Sequence, residues 1–488
     1  MKILADELTA RSIVELNALM RARLISPVEV VEAHLQRIEL LNPQLNAVVT
    51  LAPDAMKRAR ESENTIMRRS SDDDDIGALC GVPITIKDTI ETKDLRTTSG
   101  SFLRATHIPA RDATTVARLK AAGAIVLGKT NVSEMAMAYD ADNPVFGRTN
   151  NPHDLKLSPG GSSGGCAAAV SACLVPASLG SDLAGSIRVP AHFCGVMSLK
   201  PTAGHIPIDS HFPIAEGAFA LGASFGPIAR YVQDLALLYR VLAGNQKPFD
   251  STAIQKSVQA KRRDELRGKR IAWYVDDGVS VVTNETREAV RAAARALEQA
   301  GMIAFEAQPP GVTRAPDLWS ELFQKAAFDN LRELYSGHED EAGAFVRAIL
   351  SSGANTSPHA PEKLVAARRE RDSLREDLLG WMKQTPFIVA PVGAVPAFAH
   401  DTRRVTVGDS SQSVFRSFSY AQTYNVFGLP CVSIPAGRTV ENLPVGVQIV
   451  GRPLMEEEVL AAAAIIEEAL GGWQSPYKYG NVNLYAES

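Results

Sequence analysis

The chain has 488 residues, with 51 Lys plus Arg against 55 Asp plus Glu, a net charge of −4, 45% hydrophobic and 22% charged residues. That balance makes no electrostatic case for nucleic acid or an anionic membrane, and the composition is that of a globular enzyme with a large core. Five cysteines, odd in number and without CxxC or Cys/His spacing, point to buried reduced thiols, not to a disulfide framework or a metal site.

The opening MKILADELTA has too short an apolar run for a secretory signal, and no 18-residue apolar stretch is free of charge or proline. The sequence therefore reads as soluble and cytoplasmic. Residues 12–23 and 27–41 are expected as amphipathic helices, each opened by a capping box: Ser12 with Glu15, and Ser26 with Glu29 behind Pro27 at the first helical position. The acidic run 70–75 is expected as a solvated loop, because its like charges repel and the spaced ligands of a calcium loop are missing. Residues 82–87, VPITIK, read as a β-branched strand that ends on Lys87, where sheet enzymes keep their chemistry. Asp112 is expected to cap a helix over 113–122, closed by Gly123 and followed by the strand AIVLGK. GAIVLGKT at 123–130 matches a phosphate loop letter for letter, but its variable positions would themselves be that strand, so the match is read as fortuitous.

A turn-rich stretch from 131 to 152 leads into residues 158–190, where Ser162 lies in a glycine run and Ser186 follows the small-residue turn Leu183-Ala184-Gly185. Between them the apolar run Cys166 to Leu179 reads as a helix buried on every side. A flexible linker would continue into polar sequence, which this stretch does not do. A Pro- and Gly-rich loop then spans about 201–227 and carries Phe212 and Phe219, as pocket lining or as loop anchors. Residues 270–308 read as a βαβ unit whose helix is capped near Asn284 and ends at Gly301. Charged helical sequence fills 315–384. PFIVAPV, PCVSIPA and VGVQIVG follow as buried strands, and residues 456–470 as a closing helix.

Three arrangements could use the serines. A GxSxG nucleophile elbow is matched formally through Ser162 or Ser163, with His192, His205 or a later histidine to complete a triad, but the preceding NPHDLKLSP is polar and carries two prolines where a buried strand is needed. The second makes Ser186 the nucleophile, with Ser162 passing its proton to Lys87. An unshifted lysine would be neutral in only roughly one molecule in 2,500 at pH 7, so burial must lower its pKa. The third is an anion site at a glycine-rich helix start, which leaves Lys87 and the second serine loop unexplained.

PITIKD at 83–88, SPGGSSGG at 158–165 and GSDLAGSIRVPA at 180–191 resemble, in order and spacing, the hallmark pieces of the amidase signature family. The resemblance covers about 25–245 and returns over 386–470. It implies one α/β domain over 1–488, a large mixed twisted sheet covered by helices on both faces, with the divergent helical segment 310–385 beside the substrate pocket. It also implies Ser186 as the acylated nucleophile, Ser162 as the bridging serine on a cis peptide after Gly161, and Lys87 as the base. The amides of Leu183, Ala184, Gly185 and Ser186 would form the oxyanion hole, Ser163, Asp182 and Arg188 would orient the loops, and Ala136 would stand beside the nucleophile. One departure is Ala184, where the family usually has glycine: a negative φ keeps the hole, a positive one strains it.

The expectation is an amidohydrolase, without metal or cofactor, that cleaves the C–N bond of a small apolar or aryl amide or carbamate (urethane) through an acyl-enzyme. Phe212, Phe219, Trp319, Leu322 and Phe323 are the apolar residues expected around that substrate. Its partners would be the small-molecule substrate and water, with no nucleic acid or membrane, as a monomer or homodimer. The rival within the resemblance is the A-type component of a glutamine-dependent tRNA amidotransferase. Residues 315–384 do not resemble that component, which places it second, ahead of a hydrolase-like esterase using Ser162 or Ser163 and a histidine.

Overall fold

The computed structural model describes residues 5–68, 76–244, 261–352 and 361–477. The acidic run 70–75 lies outside them. In chain order the strands are β1 (Val48–Leu51), β2 (Pro83–Lys87), β3 (Ile125–Thr130), β4 (Ala177–Asp182), β5 (Met197–Lys200), β6 (Ser224–Ala229), β7 (Arg270–Trp273), β8 (Ile303–Glu306), β9 (Phe387–Pro391), β10 (Arg404–Val407), β11 (Ser410–Ser413), β12 (Cys431–Arg438) and β13 (Pro444–Gly451). Eleven form one sheet in the order β1-β3-β2-β4-β6-β5-β12-β13-β9-β7-β8, and β10 pairs with β11 in a separate hairpin.

The sheet is mixed. β3, β2 and β4 run parallel, as do β8, β7 and β9, whereas β4–β6, β5–β6, β12–β5, β12–β13 and β13–β9 are antiparallel. Strands covered on both sides lose the apolar/polar alternation of a half-exposed sheet, and β2, β3, β4 and β6 are buried at every position. Neighbouring residues of β3 divide between two cores: Val126 belongs to the core that also holds side chains of the helices Ile13–Arg21, Val232–Leu242 and Glu456–Leu470, and Ile125 and Leu127 to the core that holds side chains of the helices Pro27–Leu45, Gly164–Ser171 and Arg188–Cys194. Helices therefore cover both faces. No described helix is long and apolar enough to cross a membrane.

Both capping boxes form, with Ser12 and Glu15, and Ser26 and Glu29, each satisfying the other's backbone N–H. Several expectations need correction. Cys166 to Leu179 is not one helix: the helix stops at Ser171, Cys173 turns left-handed (φ 59°), and β4 begins at Ala177. A run apolar on every side has no period to separate a buried helix from a buried strand. The loop expected to reach 227 ends earlier, because Ser224 onward is β6. Asp112 does not cap the helix Thr114–Ala121; it binds Lys93 N–H and the Lys120 ammonium, and Asp209 takes the Thr114 amide. The helix Asn284–Gln299 is capped by Thr283, one residue earlier than expected. The phosphate-loop match is the strand β3, with Lys129 fully buried and donating to Ile90 O and Thr92 Oγ1. All five cysteines are free and buried.

Candidate active site

β2 and β4 lie side by side in parallel register, Ile86 opposite Leu179, so their C-terminal ends place Lys87 and Ser181-Asp182 on one side of the sheet. Lys87 is fully buried. Its Nζ lies 2.7 Å from Ser162 Oγ and 3.0 Å from Ser181 Oγ. Burial pulls the lysine pKa down to about 8, against the opposing fields of Cys166 and Asp182. Roughly a tenth of the amine is then neutral at pH 7, the order of population a general base needs.

Ser162 is carried on the loop ahead of the helix Gly164–Ser171, and the Gly161–Ser162 peptide is cis. Glycine is required at 161 because a Cβ there would lie 1.9 Å from the Asp140 carbonyl oxygen. Ser163 N–H donates to the Ser186 carbonyl at 3.1 Å and its hydroxyl to the Ser181 carbonyl at 3.3 Å, which ties the two serine loops together. Ser162 and Ser186 open on the same cavity, with Ala136, Leu183, His211 and Phe219.

The loop from 183 to 186 is held from both sides. Asp182 accepts the amides of Gly185 (2.9 Å) and Ile187 (3.1 Å), and its carboxylate meets the Arg188 guanidinium at 2.9 Å, both side chains fully buried. Burial alone would raise the Asp182 pKa; the adjacent Arg188 charge overrides it and holds the carboxyl well below the usual range. Arg188 also donates to Asn425 and Gln448. Trp319 Nε1–H donates to the Leu183 carbonyl at 2.7 Å and Tyr139 O–H to the Ala184 carbonyl at 2.7 Å. Because a peptide unit is planar, fixing the Leu183 carbonyl aims the Ala184 N–H in the opposite direction. Gly185 takes the left-handed conformation (φ 98°) and Ala184 does not, so alanine at 184 carries no strain.

The geometry therefore brings together Lys87, Ser162, Ser163, Ser186, Gly161, Asp182 and Arg188. It changes one expectation: the Gly185 amide donates to Asp182 and is not free for an oxyanion. It also removes the elbow. No strand precedes Ser162, His192 is engaged by the Val395 carbonyl and the Gly446 amide, and His205 by the Tyr239 hydroxyl.

The pocket wall differs from expectation. Phe219 lines it, but Phe212 anchors its loop beneath the Arg104 guanidinium, and Trp319, Leu322 and Phe323 are core residues behind the wall. Ala327, Asn330, Leu331 and Leu334 face the cavity from the helix Lys325–Leu334, opposite Met135, Ala136 and Met137. The residues that sequence reasoning missed are Ser181, His211, Tyr139, Asn425 and Gln448; Trp319 was expected in the pocket wall and instead holds the Leu183 carbonyl. Ser181 sits inside the hallmark stretch, and Asn425 and Gln448 inside the segments where the resemblance returns, so their positions carried a signal; the hydrogen bond of Trp319 to Leu183 and the place of His211 carried none. Among the described residues no cluster suited to a metal ion is present.

The chain is 33% identical to the A component of the glutamyl-tRNA(Gln) amidotransferase of Sulfurihydrogenibium sp., over 98% of both chains. It is 34% identical to the same component in Persephonella marina, covering 94% of this chain and 96% of that one. The solved peptide amidase of Stenotrophomonas maltophilia superposes with a TM-score of 0.78 at 27% identity, covering 96% of this chain and 98% of that one. These likenesses correct two expectations. Matches to the amidotransferase A components extend over 98% and 94% of this chain at 33% and 34% identity, which favours the reading placed second over the lone hydrolase of apolar amides or carbamates. Relatives named as one component of an enzyme that acts on a charged tRNA likewise overturn the expectation of a monomer or homodimer with only a small molecule as partner. The Amidase family profile matches residues 29–460, so this chain, an enzyme acting on C–N bonds, belongs to the amidase signature family.

Proposed function

We propose that this chain is the amide-cleaving component of a glutamine-dependent tRNA amidotransferase, in which Ser186 is the nucleophile, Ser162 the relay and Lys87 the base. Ser186 Oγ bonds to the amide carbon while its proton passes through Ser162 to neutral Lys87. The C–N bond then breaks, and the same proton returns to the departing nitrogen, which leaves as ammonia. Water cleaves the acyl-enzyme by the reverse relay. In this reading the amides of Leu183, Ala184 and Ser186 hold the negative oxygen of each tetrahedral intermediate. A partner protein would bind the charged tRNA in the cytoplasm, because a chain of net charge −4 offers the phosphate backbone no attraction of its own.

The observation that carries the assignment is the 33% and 34% identity to amidotransferase A components along nearly the whole chain. The pocket sets a condition on it. The formal charge on the described lining is Asp182, already engaged by Arg188, so the ammonium and carboxylate of glutamine must be met at the mouth, by water or by a partner. The test is glutamine labelled with 15N in its amide, incubated with glutamyl-tRNA and the chain, alone and co-expressed with its partner proteins. Label in the tRNA-borne amide only with partners, and its loss in Ser186→Ala, is the expected result. Rapid cleavage of apolar amides by the isolated chain, with glutamine untouched in every combination, would overturn the proposal.

A further inference from the structure

Lys87 has a second chain of neighbours on the side away from Ser162. Ser181 Oγ lies 3.0 Å from Lys87 Nζ and 3.0 Å from His211 Nε2, and His211 Nδ1 lies 2.7 Å from the Pro213 carbonyl oxygen. These contacts fix the direction of every hydrogen bond. A carbonyl oxygen only accepts, so Nδ1 carries the imidazole proton. Burial, and then the Lys87 charge, lower the His211 pKa to about 4, so the ring is neutral and Nε2 is a bare acceptor. Ser181 must then donate its hydroxyl proton to Nε2, which leaves its oxygen lone pairs for Lys87.

A neutral lysine amine has two N–H bonds and one lone pair. One N–H is taken by Ser181 Oγ, and the Ser181 carbonyl, 3.4 Å from Nζ, receives the other. The remaining direction is Ser162 Oγ at 2.7 Å, where the lone pair is needed to accept a proton. Were Ser181 free to turn its own proton toward Lys87, the amine could present its lone pair to Ser181 and an N–H to Ser162, a form that cannot act as base. We propose that His211, acting through Ser181, is a positioning residue that locks the Lys87 lone pair onto Ser162. His211 stands in the pocket wall beside Pro213 and Ile214, so the same loop that shapes the pocket also sets the base.

This inference rests on Lys87 and Ser186 acting as proposed above, and the test separates the two. The probe is a fluorophosphonate, read as the maximum rate of Ser186 modification by peptide mass spectrometry, with melting temperature as a check on folding. His211→Leu is expected to slow the maximum rate about 10- to 100-fold with the half-saturating probe concentration unchanged. His211→Gln, whose side-chain oxygen can accept from Ser181 at the same reach, is expected to recover most of that loss. Ser181→Ala should lose as much, and the double variant Ser181→Ala/His211→Leu no more than either alone, since both interrupt one chain. Unchanged labelling in His211→Leu, no recovery in His211→Gln, or losses that add in the double variant would overturn the role of His211. Full-rate labelling in Lys87→Ala, or an adduct on another serine, would instead overturn the site on which it rests.

Discussion

A lysine works as a base only when it is uncharged, and the position of Lys87 supplies that state by burial at the end of β2 with hydroxyl groups for company and no carboxylate in contact. With the pKa lowered to about 8, the proton-accepting fraction grows about tenfold per pH unit below 8 and saturates above it. The pH profile of kcat/KM is therefore expected to rise with unit slope from about pH 6 and flatten past about pH 8; a profile level across that range would contradict the assignment of Lys87. Lys87→Ala should depress turnover of an amide far more than of the ester with the same acyl group, because an amine leaving group requires a proton and an alkoxide less so. Equal losses on both would count against the relay.

At the scale of elements, the serine loops are precise because other segments hold their backbone. The turn from 183 to 186 is clamped by Asp182 from below, by Tyr139 from the 131–152 stretch, and by Trp319 from the helix Ala315–Trp319. Trp319→Phe keeps an aromatic ring and removes the indole donor to Leu183. It is expected to lower kcat about tenfold with little change in KM, since a misaimed Ala184 amide weakens the oxyanion contact that matters in the transition state. Steady-state kinetics of the variant decide this; a rise in KM with kcat intact would assign Trp319 to the pocket wall instead. A second tie joins the end of the helix Lys325–Leu334 to the same region: Tyr335 donates its hydroxyl at 2.6 Å to Glu134, beside the pocket residues Met135 and Ala136. Met135 and Ala136 both have positive φ (52° and 61°), conformations that non-glycine residues hold only when their surroundings impose them.

Over the whole molecule, Arg188 links the two regions where the family resemblance lies. Its guanidinium meets Asp182 at the end of β4, Asn425 on the helix Ser419–Val426 and Gln448 in β13, the last two 237 and 260 residues away along the chain. Removing one partner of a fully buried ion pair leaves the other charge without compensation. Arg188→Met is expected to cost about 3–5 kcal/mol in denaturant unfolding, far more than a surface pair would lose. A loss under about 1 kcal/mol would mean that Asp182 finds another cation, with Lys200 the next contributor to its field.

The local chemistry of the chain was determined by its sequence: capping boxes where Ser and Glu stand three apart, β-branched runs as buried strands, and three hallmark stretches whose glycines and serines carry the family resemblance wherever they are read. Those signals are short in range. The end of the buried helix at Ser171 is invisible to them because uniform apolarity has no period, and the acceptor for the Thr114 amide is hidden because Asp209 arrives from another part of the chain. Tertiary structure alone decided which carbonyls Trp319 and Tyr139 hold, that Trp319 and Phe323 stand behind the pocket and not in it, and that His211 reaches Ser181. The physical reason is that hydrogen bonds and pocket walls depend on where distant segments meet, and a single strand register or helix rotation settles that after the local elements have formed.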